Sequence, residues 1–232
     1  MKIAIVSDIH GNLPALEAVV NDLEEVGPDL VIHGGDLALN GPQPAECIDV
    51  VRELGWPGTM GNTDEVLWTS AGVPEPMLPV FDRLAPATAE LVGDERVQWL
   101  QGVPREWRHG DTIALVHATP TSLWTAIPAD ADDAALQNTF GPLGTPLAVY
   151  CHIHVPFVRA LPGLTVANTG SVGMPFDGDP RSSYLVIEDS RPSIRRVEYD
   201  IDREVANLMA SGYPFAEILA RARQEGRSPQ WR

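Results

Sequence analysis

The sequence predicts an α/β protein of two packed, mixed β-sheets flanked by helices. Three observations carry this reading. The first half alternates apolar β-runs with helical patterns. The later part holds β-runs cut by Gly and Pro, as in hairpins. Most of the strand-like runs end in Asp, Asn or His rather than in ordinary turn residues. With 232 residues, one continuous core is favoured over two small ones, so the chain reads as a single domain over 1–232.

Ile3-Ala4-Ile5-Val6 is a buried strand, and Leu13 onward reads as a helix, with Asn12 as its N-cap. Gly27-Pro28 stops that helix. Leu30-Val31-Ile32 is a second buried strand running into Gly34-Gly35-Asp36. The resulting βαβ unit makes the two strands parallel, with a right-handed crossover. Helix follows over Ala45 to Leu54, then a short third strand over Pro57 to Met60. Val66 to Ala89 is rich in proline and reads as short turns and a covering loop. A helix is expected over Asp94 to Gln101, a hairpin over Glu106 to His109 and Thr112 to His117, and an amphipathic helix over Asp130 to Phe140. Leu147 to Cys151 is another strand. Four β-runs, Phe157 to Leu161, Leu164 to Ala167, Tyr184 to Ile187 and Ile194 to Tyr199, then read as an antiparallel meander. Ile201 to Ala210 and Phe215 to Arg223 are closing helices.

The chain carries 32 acidic against 16 basic residues, a net charge of −16. Non-specific nucleic-acid binding relies on Lys and Arg against phosphates, so nucleic acid is disfavoured as a partner. A small phosphate ester is not, because bound cations invert the local sign. No apolar run is long enough to span a bilayer and no secretory leader is visible, which predicts a cytoplasmic protein without a membrane partner. The two cysteines, Cys47 and Cys151, then read as free thiols in a reducing compartment. A homo-oligomer is compatible with these features.

The residues ending apolar strands are Asp8, His10, Asp36, Asn62, His117, His152 and His154, which include four of the six histidines. Strands lying side by side send such ends to one crevice. Seven N/O ligands are too many for one tetrahedral zinc but suit two divalent metals bridged by a carboxylate. Mixed imidazole and carboxylate donors favour manganese, with iron, zinc, nickel or magnesium as alternatives.

Taken with their order, the blocks Ser7-Asp8-Ile9-His10-Gly11-Asn12, Gly34-Gly35-Asp36, Gly61-Asn62-Thr63-Asp64, Val116-His117 and Cys151-His152-Ile153-His154 resemble the calcineurin-like metallophosphoesterase superfamily. Gly35-Asp36-Leu37 running to Gly41-Pro42, and Asn168-Thr169-Gly170-Ser171-Val172-Gly173, resemble its small bacterial and archaeal phosphodiesterase branch. The resemblance implies a four-layer αββα sandwich. It implies one metal held by Asp8, His10, Asp36 and His154, and a second held by Asp36, Asn62, His117 and His152. Asp36 would bridge them together with a water or hydroxide acting as nucleophile. Asp36, Asn62, Thr63 and Asp64 would carry catalysis. The implied activity is hydrolysis of phosphodiesters of small or nucleotide type. A monoesterase or nucleotide pyrophosphohydrolase with the same site is the alternative. A non-catalytic scaffold, the role the fold has in eukaryotic retromer, is a third.

Two positions depart from that pattern. Thr63 stands where the family usually has a His that contacts phosphate or protonates the leaving group, and a hydroxyl is a poor acid at neutral pH. Asp64, the usual partner of that His, loses its role or takes another. Cys151 stands where the family usually has Gly, and reads as packing. Of the other candidates, His33 reads as structural and His109 as surface. Trp68, Trp99, Trp107 and Trp124 read as core or cover, with one or two available to line a nucleotide pocket.

Overall fold

The protein was analysed as a computed structural model describing residues 1–231. Strands β1 (Lys2–Val6) and β2 (Leu30–His33) pair in parallel around helix α1 (Leu13–Val26), as the βαβ pattern requires. Strands β8 (Ser182–Glu188) and β9 (Arg191–Val197) complete this first sheet, in the order β2-β1-β8-β9. The second sheet has the order β3-β4-β5-β7-β6, from β3 (Glu106–His109), β4 (Ile113–Val116), β5 (Leu147–Tyr150), β6 (Phe157–Leu161) and β7 (Leu164–Asn168).

The sheets meet face to face. Ile3, Ile5, Ile32, Leu185 and Ile187 of the first pack on Ile113, Leu115, Leu147 and Val149 of the second. Period-2 alternation sends the intervening residues outward. Ala4, Val6 and Val186 of the first sheet bury α1 and α2 (Pro44–Glu53). Ala114, Val116, Ala148 and Val166 of the second bury α6 (Asp133–Phe140). The result is four layers, helix, sheet, sheet and helix, and among the described residues no helix is long and apolar enough to cross a membrane. The remaining helices are α3 (Asn62–Glu65), α4 (Leu78–Val92), α5 (Asp94–Gln101), α7 (Ile201–Ser211) and α8 (Ala216–Glu225).

Three expectations are corrected. Pro57 to Met60 is not a strand but a single bridge, His33 to Gly58, because Pro57 has no N–H and Met60 turns to donate to Pro104. The proline-rich segment contains a full helix, α4, with Pro79 in its first turn and Pro86 inside it. Proline is cheap in a first turn, and burial of Phe81, Leu84, Thr88 and Val92 sustains the helix through Pro86. The meander is two hairpins on different sheets. β6 and β7 join the second sheet, with β7 parallel to β5, whereas β8 and β9 join the first. Residues 169–181 make the crossing, and that crossing brings a loop over the strand ends.

Candidate metal centre

Five of the seven candidate ligands sit in sharp turns, whereas Asn62 opens helix α3 and His117 directly follows β4. Asp8 (φ 54), His10 (φ 52), Asp36 (φ 56), His152 (φ 68) and His154 (φ 57) all adopt the left-handed region. That region costs a non-glycine residue ~1–2 kcal/mol, and such strain concentrates where function over-determines the backbone. Glycines supply the close approaches. A Cβ on Gly61 would come within 2.0 Å of Asp36 Oδ1, and one on Gly173 within 1.8 Å of the Ile9 carbonyl.

The side chains converge as two groups sharing Asp36: Asp8, His10, Asp36 and His154, and Asp36, His117 and His152. Asp36 faces both, with Oδ2 3.6 Å from His10 Nε2 and Oδ1 3.4 Å from His117 Nε2. The Asn62 amide oxygen joins the second group, 2.8 Å from His117 Nε2 and 2.9 Å from His152 Nδ1. All seven predicted ligands are therefore gathered in one place.

The hydrogen bonds behind the ligands fix their tautomers. His10 Nδ1 donates to Leu39 O (2.8 Å), His117 Nδ1 to Gly34 O (2.8 Å) and His154 Nδ1 to Met174 O (2.5 Å). In a neutral imidazole the inward Nε2 then bears a lone pair. His10 Nε2 and His154 Nε2 lie 3.2 Å apart, and His154 Nε2 lies 3.2 Å from Asp8 Oδ1, a buried oxygen without a hydrogen-bond partner. Acceptors facing acceptors in a dry site are repulsive unless a cation sits among them, so the donor set fits divalent metal ions.

Burial pushes His10 and His152 down to about 4, keeping both neutral and available as ligands. Burial would raise Asp36, but His117, His10 and His152 outweigh it and hold the carboxyl well below its usual range. Burial would lower His117, yet Asp36 beside it pushes it up to about 9.

Asp64 is turned away from the cluster. Its carboxylate accepts from the N–H groups of Asp36 (2.8 Å), Leu37 (2.9 Å) and Gly61 (3.1 Å), so it clamps the loop presenting Asp36 to the loop presenting Asn62. Thr63 lines the cavity beside the cluster; its N–H donates to Asp36 Oδ1 (2.9 Å) while its hydroxyl is buried without a partner. Cys151 is core, its Sγ packed so closely on Gly34 that a Cβ there would approach to 2.3 Å. Asn12 caps α1 through Ala15 N and also donates to Gly173 O (3.0 Å). His33 is buried behind the site and touches none of the ligands' polar atoms.

Residue-type reasoning gave no role to the supports of Asp8. Ser7 Oγ donates to Asp8 Oδ2 and contacts Thr169 Oγ1, both at 2.6 Å, while Ser171 Oγ (2.7 Å) and Gly173 N (2.9 Å) donate to the Asp8 carbonyl. The Asn168–Gly173 block is thus the cradle of Asp8. Arg223, wholly buried on α8, donates from one Nη to the carbonyls of Asn40 (2.8 Å) and His10 (3.4 Å). Nothing in the local sequence around Arg223 signals that reach.

A four-layer sandwich whose strand ends gather carboxylates and imidazoles defines a metallophosphoesterase-type hydrolase. Residues 1–191 match the calcineurin-like phosphoesterase superfamily domain, and the chain belongs to that superfamily. A metallophosphoesterase of known crystal structure from Sphaerobacter thermophilus is 31% identical, with a TM-score of 0.82 over 97% of this chain and 100% of that one. Uncharacterized protein MJ0912 of Methanocaldococcus jannaschii is 28% identical over 91% of this chain and 93% of its own. Phosphodiesterase YfcE of Escherichia coli K12 is 24% identical over 89% of this chain and 98% of its own. The protein is accordingly a hydrolase of phosphate ester bonds.

Proposed function

We propose that the protein is a two-metal phosphodiesterase, with manganese as the metal of choice and Asp36 bridging the two ions. The observation carrying this reading is the pair of donor groups that share Asp36 and point bare nitrogens and oxygens at one another. Two divalent cations held there would polarise a phosphate oxygen and supply an activated water near neutral pH. The chain's own part is positional. The backbone carbonyls of Leu39, Gly34 and Met174 hold three imidazoles in the ligating tautomer. Thr63 lines the cavity with its hydroxyl buried and without a partner, so a side-chain rotation would be needed for it to donate to a phosphate oxygen.

That hydroxyl is a weak acid, so the leaving oxygen departs unprotonated or takes its proton from water. Esters with good leaving groups, phenolate-like or nucleotide diesters, are favoured. Among the described residues lining the cavity none is Lys or Arg. A chain of phosphates would find few counter-charges there, which supports a single phosphodiester over a pyrophosphate substrate. The phosphodiesterase name of the Escherichia coli relative supports the same choice. Two buried free thiols in separate core clusters support a reducing, cytoplasmic setting.

Metal analysis of the purified protein, with turnover of bis(p-nitrophenyl) phosphate after chelation and again after added manganese, tests this reading. Manganese-dependent turnover with about two metals per chain is expected. Absence of both metal and turnover favours the non-catalytic scaffold.

A further inference from the structure

We infer that Trp124 and Trp231 form the recognition wall for a flat aromatic group of the ester, which makes aryl or nucleoside phosphate esters the substrate class. This rests on the phosphoesterase reading above and adds to it which organic group the site takes.

The cavity over the ligands has a volume of about 250 Å³. That is below the ~300–1,000 Å³ of a drug-sized site, and leaves room for one ring system beside a phosphate. Its floor is polar, formed by His10, Asp36, Asn62 and Thr63 among others. Its walls are aromatic, and they begin on the ligands themselves, because Phe176 stacks on the His154 ring at 4.2 Å and 19°.

Both tryptophans are held by built contacts. Trp124 packs on the edge of Phe81, ring centroids 5.6 Å apart, and a Cβ on Gly72 would come within 2.2 Å of its indole nitrogen. The indole is thus backed by glycine on one side and phenylalanine on another, while still lining the cavity. Trp231 lies beyond the residues that match the family. Gly226, with φ 61, ends α8, and the chain then returns so that Ser228, Pro229 and Trp231 close the cavity. Trp231 rests edge-on against Phe215 at 5.6 Å, and Phe215 is itself covered by the Arg83 guanidinium at 4.3 Å. Phe215 has φ 61, strain that a bulky residue rarely carries. Aromatic side chains around a buried polar floor favour planar groups by stacking, and every aryl or base ring offers a matching face.

The test compares two probes of equal charge, phenylphosphonate and methylphosphonate, binding to the manganese-loaded full chain, read by calorimetry and by inhibition of ester turnover. Phenylphosphonate is expected to bind at least about tenfold more tightly, ~1.4 kcal/mol. Trp124→Ala and Trp231→Ala should each bring the ratio within about threefold, and Trp231→Phe should retain most of it. Equal affinities in the unaltered protein, or a ratio that survives both alanine variants, overturns the inference. Methylphosphonate affinity reports whether each variant keeps its folded site. Turnover without aromatic preference removes only this inference. Absence of turnover removes the enzymatic reading, and the calorimetric ratio still judges the wall.

Discussion

His10 Nε2 and His154 Nε2 face each other at 3.2 Å, each with its other ring nitrogen committed to a backbone carbonyl. Two lone pairs at that distance are stable only with a cation between or beside them. Metal should therefore stabilise the fold as well as activate it. Manganese at about a hundred times its dissociation constant should add ~2.7 kcal/mol, read as a rise in melting temperature. His10→Ala should lose most of that rise. An equal rise in His10→Ala would place the metal elsewhere.

Asp8 is wholly buried, in the left-handed region, with one oxygen lacking a hydrogen-bond partner. Such a placement suits ligation rather than stability. Asp8→Ala should cost more than the ~10–100-fold that outer-shell changes cause, with little change in the denaturation midpoint of the metal-free protein. Full activity of Asp8→Ala in metal-depleted buffer would remove the two-metal reading.

Asp64 acts through the loops it joins. In Asp64→Asn one amide N–H₂ must oppose a backbone N–H, leaving a buried donor unsatisfied at ~1–3 kcal/mol. Lower stability and weaker metal binding are expected, with the same dependence of rate on leaving-group pKa. A changed dependence would mean that Asp64 touches the reacting atoms.

Thr63 bears on that dependence directly. Thr63→His would place a proton donor beside the candidate donor cluster, so rates for poor leaving groups should rise and the Brønsted slope should flatten. An unchanged slope across a series of phenyl esters would show that no side chain at this position protonates the leaving group.

Glu204 and Arg223 are both fully buried, Glu204 Oε1 lying 3.7 Å from Arg223 Nε and lacking a hydrogen bond. Burial pushes Glu204 up to about 7 in spite of the arginine. Between the ordinary glutamate value of ~4.3 and about 7 the folded chain holds a proton that the unfolded chain has released. Stability should therefore fall as pH rises through that window. Glu204→Gln should flatten the fall, measured as urea midpoints between pH 5 and pH 8. An unaltered slope would assign the pH dependence to other groups.

Much of this was legible in the residue order. Runs such as Ile-Ala-Ile-Val and Leu-Ala-Val-Tyr define buried strands because each is apolar on both faces, and a polar residue closing such a run must find a polar partner or a metal. That logic alone picked out Asp8, Asp36, His117, His152 and His154. It also read α1, α5 and α6 from apolar spacing and caps. It failed over 78–92, where prolines that a first turn and a well-packed helix tolerate look like breakers, and at Pro57–Met60, where one bridge imitates a strand.

What the sequence by itself determined is the βαβ scaffold and the set of candidate donors that the fold gathers, because both depend on period, spacing and residue type within short windows. Only the tertiary structure decided which hairpin joins which sheet, that Asp64 clamps loops while Thr63 faces the cavity, and that Ser171, Gly173 and Arg223 support the ligands. It also decided that residues as distant as Trp124 and Trp231 wall one cavity. Those relations arise from long-range packing and backbone hydrogen bonds, which carry no local signature in the chain.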